Sequence, residues 1–83
     1  MEDFGENIKF IRENEEILLK LYNKDSATYF SIWLTSRGID FRFVSVSNND
    51  DLFYEQDDNE FEYLFWIKIH EWDSIKDEIN WEE

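Results

Sequence analysis

The residues of this chain that are most able to bind a ligand or a partner, by their number and spacing, are its carboxylates. Of its 83 residues, 21 are Asp or Glu and 8 are Lys or Arg, which gives a formal net charge of −13. Oxygen-rich clusters of this kind either bind hard cations or present repeated negative charge to a partner. The candidate site residues are Asp50, Asp51, Glu55, Asp57, Asp58, Glu60 and Glu62, followed by Asp73 and Asp77.

Cation binding is the weaker of these two interpretations. The polar segments 48–51 and 57–60 lack the regularly spaced acids and the sixth-position glycine of a calcium loop. One histidine and no cysteine do not supply an ordinary zinc site. We therefore expect no metal and no other cofactor, and hairpin turns are the simpler interpretation of both segments.

Nucleophilic catalysis has few candidate residues. The chain contains no cysteine, a single histidine (His70) and no Gly-x-Ser-x-Gly motif, and its two glycines form no phosphate-binding loop. We expect a protein that is not an enzyme, and His70 is assigned no role.

The excess of acids lies in the second half of the chain. Residues 1–47 carry eight acids and six bases, whereas residues 48–83 carry thirteen acids and two bases. This charge excludes direct binding of nucleic acid or of an anionic membrane, but it is complementary to a basic groove that normally holds phosphates. On a strand, alternate residues such as Asp58, Glu60 and Glu62 form a row with a spacing of about 6.7 Å.

The charge pattern therefore predicts a small inhibitor that acts as a nucleic-acid mimic. In type, though in no motif, it resembles small acidic phage-encoded inhibitors that mimic DNA and block restriction, repair or CRISPR enzymes. The expected partner is a basic nucleic-acid-binding protein, a nuclease or an effector complex, and the expected state is a monomer or a weak dimer. Two alternatives stay open: an immunity or antitoxin-like protein for a basic nuclease toxin, and a structural or assembly protein whose acids serve solubility.

The predicted elements begin with a helix over residues 4–23. Apolar residues recur there at steps of three and four, and a polar turn follows at 23–26. The β-favouring residue types of 27–36 predict a strand. A helix with Ser26 as N-cap and Gly38 at its C-terminal end is the alternative.

Alternating residues then predict strands over 39–47, 52–55 and 60–70, joined by polar turns, and a last helix is capped by Asp73 or Ser74. In this last strand one face is predicted to carry Phe61, Tyr63, Phe65, Ile67 and Ile69, and one side of the last helix to carry Trp72, Ile75 and Ile79. The predicted fold is a single α+β domain: an N-terminal helix, an antiparallel meander of three to four strands and a short C-terminal helix. Eight Phe, four Trp and four Tyr provide a core. An acidic N-terminus, no cysteine and no uncharged stretch long enough for a bilayer predict a cytoplasmic protein.

Overall fold

A mixed β-sheet with helices on one face forms the fold. The computed structural model describes residues 2–47 and 61–83, in which five strands follow the order β3-β4-β2-β1-β5. Strand β5 runs parallel to β1, and the other neighbours are antiparallel. The elements are β1 Ile8–Glu13, β2 Glu16–Leu21, α1 Lys24–Ser36, β3 Phe41–Ser47, β4 Phe61–Lys68, α2 Ile69–Ile75, a 3₁₀ turn Lys76–Glu78 and β5 Trp81–Glu82.

The predicted N-terminal helix is wrong, because its residues form the β1–β2 hairpin. Asn14 adopts a positive φ of 47° in the two-residue turn, a conformation that asparagine tolerates better than most residues. Strand β2 is a central strand whose residues are buried on both faces, as Leu18 and Leu19 illustrate. Such a continuous apolar run contains helical spacings as well as alternating ones, and this produced the wrong prediction.

The predicted strand at 27–36 is also wrong, and the helical alternative describes this segment. The side chain of Asn23, rather than Ser26, caps α1 by accepting hydrogen bonds from the amides of Asp25 and Ser26. Gly38 follows the helix with a φ of 70° in the left-handed region, as that alternative required. The aromatic residues are helical because burial of one stripe outweighs their strand preference.

The elements after α1 agree in part with those predicted from the sequence. Strands β3 and β4 occupy the segments predicted as strands, although β4 ends at Lys68 rather than at residue 70. Helix α2 begins at Ile69, four residues before its predicted cap. Strand β5 was not predicted, and the predicted strand at 52–55 lies outside the described residues. The predicted fold class is therefore corrected: α1 lies between the second and third strands, and the sheet is mixed.

The hydrophobic core lies between the sheet and its two helices. Phe30 of α1 meets Phe65 of β4 with ring centroids 5.0 Å apart, and Trp72 of α2 meets Phe10 of β1 at 5.3 Å. Phe4 places the N-terminal segment in the same layer, because its ring lies 5.1 Å from that of Phe30. Neither helix in this part of the chain is long and apolar enough to cross a membrane.

Candidate partner-binding surfaces

The two faces of the sheet have different surroundings. Ile17, Leu19 and Leu21 of β2 point into the core with the helices, so the alternate residue Leu18 points to the opposite face. In the described chain no helix packs on that opposite face, which we call the open face. Its apolar residues are Ile11, Leu18, Val44, Val46, Leu64 and Trp66.

Charges on the open face balance. The guanidinium of Arg42 lies 4.6 Å from the ring centroid of Trp66 and 3.9 Å from the carboxylate of Glu16, and Lys20 lies 3.8 Å from Glu62. Strand register places four bases and four acids on this face. They are Lys9, Lys20, Arg42 and Lys68, and Glu13, Glu16, Glu62 and Glu82.

Outside the open face, acids greatly outnumber bases. The rest of the described chain carries eleven acids and four bases. The amide of Glu2 donates to the carbonyl of Glu78 at 2.6 Å, and this brings Glu2 and Asp3 beside Asp77 and Glu78. We call these four residues the acidic corner. Of these four, only Asp77 is among the predicted site residues, because Glu2 and Glu78 lie at opposite ends of the chain and no local spacing connects them.

Most of these carboxylates are not neutralised by a neighbouring base. Four of the fifteen described carboxylates form ion pairs: Glu16, Glu62, Glu78 and Asp73. The other eleven form none with any described base. Some accept hydrogen bonds, as Glu6 does from the amides of Tyr22 and Asn23, and these bonds connect the N-terminal segment to the turn between β2 and α1.

The predicted site residues do not all lie on one surface. Glu62 lies at the start of β4 on the open face beside Lys20. Asp73 and Asp77 are exposed on α2 and on the turn after it, and these elements pack on the opposite face of the sheet. The remaining candidates lie outside the described residues: Asp50, Asp51, Glu55, Asp57, Asp58 and Glu60.

Two grooves mark the surface of the described residues. The larger, of about 1070 Å³, lies at the end of the sheet where Trp66, Arg42, His70 and Asp73 meet. The smaller, of about 330 Å³, runs between α1 and β3 and is lined by apolar atoms, those of Phe43 among them. No group of three or more His, Asp or Glu residues in residues 2–47 and 61–83 is arranged to hold a metal ion.

Comparisons with protein-family models, with curated proteins and with solved structures gave no match.

Proposed function

We propose that the protein is a non-enzymatic, stoichiometric inhibitor that acts in the cytoplasm as a nucleic-acid mimic. Its carboxylates occupy the basic channel of a nucleic-acid-binding protein, such as a CRISPR, restriction or repair nuclease, and exclude the natural substrate. One observation carries the proposal: eleven of fifteen described carboxylates lack an ion pair, on a scaffold that holds several of them in place.

The distribution of charge supports this proposal in a second way. If the acids served only solubility, there would be no reason to concentrate them on one part of the surface, since a surface of mixed charges is equally soluble. Here the open face is balanced, while the remaining described surface has an excess of seven acids. A one-signed surface attracts an oppositely charged groove and speeds its association.

The binding surface has two parts in this proposal. The first is the acidic corner, Glu2, Asp3, Asp77 and Glu78, extended by Asp73 on α2. The second is the acidic segment 50–60, which contributes six carboxylates on the evidence of the sequence. Glu62 does not belong to the surface we propose, because it lies on the open face, beside Lys20.

The test begins by finding the partner. Tagged protein is used to capture ligands from nuclease-treated bacterial lysate, with washes at about 0.1 M and about 0.5 M salt, because the screening length halves between these concentrations. A captured enzyme is then purified, and its activity and its binding to a labelled oligonucleotide are measured with increasing inhibitor. We expect one-to-one loss of activity and displacement of the oligonucleotide.

Paired variants locate the surface. Asp73→Asn with Asp77→Asn, and Asp57→Asn with Asp58→Asn, each remove two charges and keep side-chain shape. Glu15→Gln with Asp40→Asn removes the same charge from exposed positions outside the proposed surface. We expect each test pair to weaken binding about tenfold at low salt and the control pair to change it far less. Equal effects from all three pairs would show that only net charge matters and would refute the surface.

An assembly protein is the second candidate, and the apolar open face is the observation that favours it. Ile11, Leu64 and Trp66 on that face are only half-buried. If the lysate yields only further copies of this chain at both salt concentrations, the inhibitor proposal fails and this second function stands.

A further inference from the structure

The hairpin β1–β2 presents three cross-strand pairs of different character on the open face. Lys9 lies opposite Lys20, Ile11 opposite Leu18, and Glu13 opposite Glu16. Alternate residues of a strand share a face, so the three pairs form parallel rows about 6.7 Å apart. A basic row and an acidic row therefore lie at equal distances on either side of an apolar row.

The apolar row continues beyond the hairpin. Leu18 lies opposite Trp66 of β4, so Ile11, Leu18 and Trp66 form one line across three strands. Arg42 ends the line by stacking on the Trp66 ring. Leu18, at the centre of the row, is only 5% exposed although none of the described helices packs on it.

This arrangement is complementary to a copy of itself. Rotation by 180° about an axis along the apolar row returns that row to its own position and exchanges the other two rows. Lys9 and Lys20 of one copy then lie over Glu13 and Glu16 of the other. We propose that the open face is the interface of a two-fold symmetric dimer, in which two sheets pack face to face at about 10 Å.

Charge explains why this face, rather than another, accepts a second copy. A chain with a net charge of −13 repels its own copies, but the four bases and four acids that the described strands place on the open face cancel each other. In the dimer the excess acids of the helices and of the acidic corner stay outside. The dimer therefore leaves the acidic corner of each copy available to a partner.

The small area of the open face limits the affinity of the dimer. Four strands at about 4.8 Å and rows extending about 20 Å give a footprint near 400 Å² per copy, about half that of a standard interface. We therefore expect a weak, concentration-dependent dimer. The ion pairs Lys20–Glu62 and Arg42–Glu16, at 3.8 and 3.9 Å, are long enough to rearrange when the second copy packs.

Two single charge reversals test the symmetry directly. Lys9 and Glu13 are both exposed, and neither forms an ion pair within the described chain. Lys9→Glu places acids over acids at two places in the dimer, and Glu13→Lys places bases over bases. Each variant alone should dimerise at least about tenfold more weakly than the wild type. An equimolar mixture of the two should associate as strongly as the wild type, since every contact between the basic row of one copy and the acidic row of the other is then between opposite charges.

Sedimentation equilibrium from about 10 µM to about 1 mM protein measures this association. Lys24→Glu and Glu83→Lys, which change net charge equally at positions off the open face, serve as controls and should dimerise like the wild type. Circular dichroism confirms that each variant is folded. A wild type that stays monomeric throughout this range, or a mixture that associates no better than its components, would overturn the proposal.

Discussion

Arg37 and Glu78 form a two-pronged ion pair, with Nη2 2.6 Å from Oε1 and Nη1 2.7 Å from Oε2. The contact connects the end of α1 to the 3₁₀ turn that precedes β5. The same guanidinium lies 4.6 Å from the ring centroid of Trp33, which fixes its plane. One arginine therefore joins helix α1 to the acidic corner and offsets one of that corner's four charges.

The coupling between Arg37 and Glu78 should be small but measurable. Both side chains are about two-fifths exposed, so water and salt screen them, and a double-mutant cycle with Arg37→Gln and Glu78→Gln should give about 0.5–1 kcal/mol. Urea unfolding of the four proteins at about 0.05 M and about 0.5 M salt measures it, and the coupling should decrease at the higher concentration. A coupling that is unchanged by salt would show that packing on Trp33, rather than charge, makes the contact.

Ionisation of Tyr29 should lower the stability of the fold at alkaline pH. Its hydroxyl donates to the Glu2 carboxylate, and this hydrogen bond, followed by partial desolvation and the nearby negative charge, raises the pKa of Tyr29 above its ordinary 10.0. Since only neutral tyrosine donates, the stabilisation is complete below pH 10.0 and is lost as pH rises through the higher folded-state pKa.

The variant Tyr29→Phe isolates this effect, because it keeps the ring that contacts Phe4, with centroids 5.0 Å apart, and removes the hydroxyl. The difference in melting temperature between wild type and variant should be constant up to about pH 10 and should shrink above it. Titration of the other tyrosines occurs in both proteins and cancels. If the two melting curves stay parallel into the alkaline range, the Glu2 contact does not contribute to stability.

Sequence patterns predicted strand β4, of which one face is buried. In β4, Tyr63, Phe65 and Ile67 alternate cleanly with residues of the open face, and the prediction of their shared face is confirmed. Trp72 and Ile75, predicted to share one side of the last helix with Ile79, are both buried in the core; Ile79 is buried too, but the helix ends at Ile75. The periodicity was informative there because only one side of each element meets the core.

The failures have one physical cause, which is that tertiary contacts outweigh local preference. Strand β2 is buried on both faces, so its apolar residues fit a helical period, and the signal that Asn14 gave for a turn was missed. In α1, Phe30 and Trp33 are strand-favouring residues made helical by contacts with Phe4 and Phe65, which are distant in sequence. The acidic corner was not predicted as a unit because it, too, depends on contacts between residues distant in sequence. The acidity of the chain, in contrast, follows directly from its composition.

Asn23 should be the residue on which the start of α1 depends. Its side-chain oxygen accepts from the amides of Asp25 at 2.8 Å and Ser26 at 3.1 Å. Asn23→Ala removes both bonds and should lower the free energy of unfolding by about 1 kcal/mol. Asn23→Ser, which keeps a capping oxygen, should cost only a few tenths. Equal losses in chemical denaturation of the two variants would show that the cap is not what stabilises this end of the helix.

Two phenylalanines on the same face of the sheet should respond very differently to the same substitution. Phe65 is completely buried, and its ring centroid lies 5.0 Å from that of Phe30 and 5.0 Å from that of Phe43, whereas Phe43 on strand β3 is 47% exposed. Phe65→Leu leaves part of a closed core unfilled and should lower the free energy of unfolding by about 1–2 kcal/mol. Phe43→Leu removes atoms that already contact water and should cost less than about 0.5 kcal/mol. Urea denaturation measures both losses, and the comparison holds if the m-values of the variants equal that of the wild type. A larger loss of stability for Phe43→Leu would place the centre of the core at β3 instead of between β4 and α1.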